Sequence, residues 1–137
     1  MNSGLSRIPQ IQLLDRLPAA SVGAMEAHEH IDADGLHIIA LNGEVDMHHV
    51  SQLRCLLARH AEELRRALLV DFTGVTYIDS SGLATLVEYV QKAMDFQGGF
   101  ALGGVSERLR AIFDIARLGE VFTIRATVAE AKATLAA

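Results

Sequence analysis

The 137-residue chain is predicted to be an α/β protein, with four or five strands in a mixed sheet flanked by about four helices. Three observations predict it. Short apolar runs alternate with segments whose apolar residues recur at helical spacing. The two prolines, Pro9 and Pro18, both fall in the first 24 residues, so neither interrupts regular structure from residue 25 onward. Half of the residues are hydrophobic and 21% are charged, a composition that excludes disorder and suits one domain with one core.

Residues 1–24 read as a mobile N-terminal extension, broken up by the prolines and by Ser21-Val22-Gly23-Ala24, with Ile11, Leu13 and Leu14 able to dock on a domain spanning 25–137. Met25 to His30 is a candidate strand, paired through a turn at Asp32-Ala33-Asp34-Gly35 with the strand Leu36 to Leu41. Val50, Leu53, Leu57 and Leu64 then mark the inner face of a helix from about His48 to Leu64, with Gln52, Arg54, Arg59 and Glu63 opposite. Cys55 falls on this helix near the core boundary.

Ala67 to Val70 is a continuous apolar run ended by Asp71, as expected of a central strand. Leu83, Leu86, Val87, Val90 and Met94 define a second helix, ended by Gly98-Gly99, and Phe100 to Leu102 a short strand. Ser106 caps a third helix with the stripe Leu109, Ile112, Phe113 and Ala116. Val121 to Ile124 is the last strand. Thr127 and Glu130 form a capping box opening a final helix with Val128, Ala131 and Leu135 inward. The predicted order is β-β-α-β-α-β-α-β-α.

Charge narrows the function. Twelve Lys and Arg against seventeen Asp and Glu leave a net charge of −5. Such a balance, without a long basic run, argues against direct nucleic-acid binding, which draws its affinity from neutralised phosphates. The single cysteine fits a reducing compartment. No signal-peptide core and no run of 18 apolar residues is found, so a cytoplasmic protein without membrane insertion is expected.

In folds of this kind, function sits in loops at the carboxyl ends of strands. Three such loops are expected: Asn42 to Met47, Phe72 to Ser81 and Gly103 to Ser106. The second carries Asp79-Ser80-Ser81-Gly82 directly before an amphipathic helix. One reading is an N-cap, in which a side-chain oxygen accepts a bond from an orphan N–H, worth about 1 kcal/mol. That leaves the paired serines and the glycine unexplained, since glycine in a first turn lowers helix propensity. The other reading is a serine hydroxyl presented at a helix N-terminus, where free N–H groups and the helix dipole favour an added phosphate. A phosphate there would act on a partner through repulsion and desolvation.

The runs Leu41-Asn42-Gly43-Glu44-Val45-Asp46, Ala67 to Phe72 and Ile78-Asp79-Ser80-Ser81-Gly82-Leu83 together resemble the STAS domain of bacterial anti-sigma factor antagonists. The resemblance continues through Gly98-Gly99 and Arg108 to Asp114, covering roughly residues 30–135. It implies a STAS fold and a binding module, not an enzyme, without cofactor or metal. It also implies that the unmodified chain binds an anti-sigma factor that is a serine kinase, freeing a sigma factor. The kinase would phosphorylate Ser81 and so dissolve the complex, and a phosphatase would reset the cycle. By the same resemblance Asp46, Asp79, Ser80 and Gly82, with the exposed face of helix 83–95, form the partner surface, Asp46 lying beside the phosphoacceptor. Met47-His48-His49 departs from the small polar residues common after that aspartate. STAS domains also serve as constitutive subunits of lipid- or anion-transport complexes, docking on an ATPase or permease, and this is the alternative function.

Other chemistry is weaker. His28 and His30 share a strand face and His48 and His49 diverge, without the partners a zinc site needs. A hydrolase on Ser81, with Asp79 and His49 as helpers, lacks the Gly-x-Ser-x-Gly elbow. Gly98 to Gly104 lacks the Lys-Ser/Thr of a phosphate loop and reads as a strand between turns. Glu44 and Asp71 are expected at strand ends in structural roles, binding loop N–H groups or capping helices.

Overall fold

The computed structural model describes residues 25–136. The expectations for residues 1–24 lie outside the described residues. The elements run β1 (Glu26–Ile31), β2 (His37–Val45), α1 (Val50–Glu62), β3 (Ala67–Ile78), α2 (Ser80–Phe96), β4 (Gly99–Gly103), α3 (Glu107–Ile115), β5 (Thr123–Ile124) and α4 (Val128–Leu135). Their order is the predicted one.

The strands form one five-stranded mixed sheet in the order β1-β2-β3-β4-β5, with β1 antiparallel to β2 and every other pair parallel. The hairpin turns where Asp32 Oδ1 accepts bonds from the N–H groups of Asp34 and Leu36, while Gly35 takes a φ of 87°. Alternation along the strands sends side chains to two cores. Ile39, Leu41, Leu68, Val70 and Leu102 face the larger one, closed by Leu53 and Leu57 of α1, Leu86 and Tyr89 of α2, and Leu109 and Phe113 of α3. Ile38, Leu69 and Ala101 face the smaller one, covered by Ala131 of α4. Helix caps fall where side chains predict them: Ser106 Oγ accepts from Leu109 N–H, and Thr127 Oγ1 from Glu130 N–H.

Several expectations are corrected. The stretches read as loops, Asn42 to Val45 and Phe72 to Ile78, are strand: β2 and β3 stay paired to Val45 and Ile78, with register shifts beside Leu41 and between Gly43 and Glu44. These bulges admit the glycine and polar residues that look like loop. Leu64 is exposed, past the end of α1 at a φ of 52°. Met94 is exposed because the inner stripe of α2 steps through Leu86, Tyr89 and Ala93, one residue off. Ala116 is exposed where α3 ends, Val121 lies in the turn before β5, and Cys55 points outward from α1.

A further polar residue is buried. His60, one turn beyond Leu57, is 1% exposed. Its Nδ1 accepts a bond from Arg65 Nε at 3.0 Å, so Nε2 carries the proton and donates to Glu29 Oε1 at 2.7 Å. Arg59 also pairs with Glu29, and the His37 ring lies edge-on to His60. This cluster fastens β1 to α1.

Candidate functional site

Val45 and Ile78, the last residues of β2 and β3, are register partners. The two chain segments that follow them, starting with Asp46 and Asp79, therefore leave the sheet side by side. A second contact fixes their separation. Gly82, in the first turn of α2, is buried, and a Cβ there would lie 2.7 Å from the Val45 carbonyl oxygen and 2.7 Å from Ile78 Cγ1. Only glycine lets the helix start this close to the sheet. Asp79 N–H donates to the same Val45 carbonyl at 3.2 Å. Gly82, expected as part of the partner surface, is buried against the ends of β2 and β3.

The Asp79 carboxylate is the centre of the site. With an extended backbone it is the N-cap of the seventeen-residue helix α2. Its Oδ1 accepts from Ser81 N–H at 2.9 Å, Gly82 N–H at 3.1 Å and the Ser81 hydroxyl at 2.6 Å. Its Oδ2 accepts from Met47 N–H, across 32 residues of sequence, at 3.1 Å. Partial burial would raise its pKa, but the bonds from the Ser81 hydroxyl and from the N–H groups of Gly82, Met47 and Ser81 outweigh it and hold the carboxyl below its ordinary 3.8.

Ser81 is half-buried and Ser80 is exposed. The Ser81 carbonyl accepts from Thr85 Oγ1 at 2.9 Å, and Thr85 in turn accepts from Arg54 Nη2 of α1 at 3.1 Å. Met47, whose N–H is bonded to Asp79, and Tyr77, next to the end of β3, are both exposed. Asp46 turns toward its own loop: Oδ1 accepts from His48 N–H at 3.0 Å and pairs with His49 Nδ1 at 2.7 Å. Its backbone carbonyl accepts from His49 and Val50 N–H, starting α1. The site thus brings Asp79, Ser80, Ser81 and the Asp46–His49 turn together, while His49 is engaged with Asp46 and not with Ser81.

Sequence reasoning missed the Met47 N–H, because a backbone donor leaves no residue-type signal. Neither Asp71 nor Glu44 stands at a strand end as expected: Asp71 lies within β3, where it accepts from Thr73 N–H and Oγ1, and Glu44 lies within β2 opposite Tyr77. Among the described residues no three His, Cys, Asp or Glu side chains are grouped to hold a metal ion. No helix among them is long and apolar enough to cross a membrane.

Chemically, the site presents one hydroxyl, oriented by a carboxylate, at the positive end of a long helix.

The chain is similar to an anti-sigma-B factor antagonist of Staphylococcus epidermidis, 28% identical over 70% of this chain and 89% of the relative, and to one of Listeria monocytogenes, 29% identical over 71% and 80%. Its fold is similar to the crystal structure of an anti-sigma factor antagonist from Mycobacterium paratuberculosis, with a TM-score of 0.73, 22% identity and coverage of 81% and 93%. The model of the STAS domain matches residues 25–131, and this chain belongs to the STAS-domain family.

Proposed function

We propose that this protein is a cytoplasmic anti-sigma factor antagonist, switched off by phosphorylation of Ser81. In its unmodified form it binds an anti-sigma factor with serine kinase activity and thereby releases a sigma factor. The kinase transfers the γ-phosphoryl group of ATP to Ser81 Oγ. The Oγ–P bond forms, ADP leaves, and the hydroxyl proton passes to solvent. A phosphatase reverses the modification. The observation that carries this reading is the Ser81 hydroxyl, half-buried and aligned on the Asp79 carboxylate at the head of α2. The names borne by the relatives support it.

The partner surface is made by Asp46, Asp79 and Ser80 with the exposed side chains of α2, among them Ala84, Glu88 and Gln91. Gly82 supports that surface from below. A phosphate adds a charge of about −1.5 to −2 there. Each unit of like charge about 4 Å away at an interface costs roughly 4 kcal/mol before screening. One such contact is enough to dissolve a micromolar complex, whose binding free energy is about 8 kcal/mol.

The test is binding of the purified kinase to two variants. Ser81→Ala is expected to bind with near-native affinity and to resist phosphorylation. Ser81→Asp is expected to bind at least tenfold more weakly. Equal binding of Ser81→Asp and the unmodified chain would overturn the charge mechanism. Binding of a permease or ATPase irrespective of residue 81 would instead assign the chain to a transport complex.

A further inference from the structure

The Asp79 carboxylate links the two segments that leave the sheet side by side after Val45 and Ile78. Its Oδ1 serves α2 and the Ser81 hydroxyl, and its Oδ2 serves the N–H of Met47. Among the described residues, the Met47 N–H is the one group of the 46–49 turn hydrogen-bonded to residues 79–82. Resting on the reading of Ser81 as phosphoacceptor, we propose that Asp79 couples phosphorylation of Ser81 to the position of the Met47 turn. The partner surface would then change in shape as well as in charge.

Phosphorylation removes a hydrogen-bond donor from the site. Ser81 Oγ donates its proton to Asp79 Oδ1, and as a phosphate ester it has no proton to donate. Two acceptors then face each other at hydrogen-bond distance, and a dianionic group stands next to a carboxylate. One side has to yield. The start of α2 is held on three sides. Gly82 lies against the Val45 carbonyl and Ile78, Asp79 N–H is bonded to Val45, and Leu83 and Leu86 are buried in the core. The phosphate is itself a better acceptor for the free N–H groups of that first turn.

The movable part is therefore the Asp79 side chain. Rotating it away from the phosphate breaks its bond to Met47 N–H. The turn it releases carries Met47, which is 69% exposed. Internal bonds from Asp46 to His48 and His49 keep the turn itself intact, so it shifts as a unit.

The experiment uses the full chain, labelled with nitrogen-15, with phosphoserine incorporated biosynthetically at position 81 so that no kinase is required. Amide hydrogen exchange is read at Met47 and at Leu83, whose N–H is bonded to the Asp79 carbonyl. With phosphoserine, exchange at Met47 is expected to accelerate roughly tenfold while Leu83 stays protected. Asp79→Asn provides a second reading without phosphate. Its amide oxygen keeps the cap while its NH₂ group meets the Met47 N–H as a second donor, so Met47 is expected to exchange faster there too. Unchanged exchange at Met47 in either protein overturns the coupling. Because the phosphate is installed directly, that result leaves the question of whether a kinase modifies Ser81 to the binding and mapping experiments.

Discussion

Adding one methyl group to Gly82 tests how the site is built. By helix propensity alone, Gly82→Ala stabilises α2 by about 1 kcal/mol. The structure opposes this. The new Cβ would lie 2.7 Å from the Val45 carbonyl oxygen, 2.7 Å from Ile78 Cγ1 and 2.9 Å from Val45 Cγ1. A methyl and a backbone oxygen normally stay well beyond 3 Å, and the oxygen belongs to the end of β2, not to a flexible side chain. Overpacking of this kind costs typically 1–3 kcal/mol. The balance is a net loss of about 1 kcal/mol, reaching ~2 if the strand end does not move. For a domain of this size 1 kcal/mol corresponds to a fall in Tm of roughly 3–5 °C. Urea unfolding and calorimetry read the loss directly, with Ser80→Ala at the exposed neighbouring position as a control expected to stay within about 0.5 kcal/mol. A Gly82→Ala protein as stable as the native chain, or more stable, would refute the close approach of α2 to β2. It would also leave the glycine of the Asp-Ser-Ser-Gly sequence without a packing role.

Two further predictions follow from the packing. Burial pushes the His60 imidazole below its ordinary 6.5, aided by Arg65 and Arg59 and opposed by Glu29, so the fold favours the neutral ring. Its contribution is fully present above pH 6.5 and is lost as pH falls through the lowered value, where a second ring proton would displace the Arg65 bond. His60→Gln is expected to flatten the stability profile as pH falls below 6.5, measured by urea midpoints; an unaltered slope would contradict the neutral assignment. Ser106→Ala removes the α3 cap bond to Leu109 N–H and is expected to cost about 1 kcal/mol, read as a lower urea midpoint.

The order of elements was legible because each helix carries its own apolar stripe, three of the four also a side-chain cap, as with Leu109 and Phe113 behind Ser106, and each central strand a run such as Leu68 to Val70. The lengths of β2 and β3 were not. Asn42-Gly43 and Thr73-Gly74 carry loop residues, and their strand state depends on bulged pairing between segments far apart in sequence. At the site, Asp79, Ser80 and Ser81 could be found from residue type and position, but their division of labour could not. Which of them caps α2 is decided by the extended backbone of Asp79, and Asp46 bonds to its own turn and not to Ser81. His60 is a similar case. Nothing in its residue type marked it as buried, and β1 supplies the Glu29 that makes its burial tolerable.

Phosphosite mapping bears most directly on the role of Ser81. The full chain and its Ser81→Ala variant are incubated with ATP and lysate of the host, and their peptides are read by mass spectrometry. A phosphate on Ser81 of the native chain, absent from the variant, is the expected result. An unmodified Ser81, under conditions where another substrate in the same lysate is phosphorylated, would contradict the switch and leave the hydroxyl as one more hydrogen bond in the cap of α2.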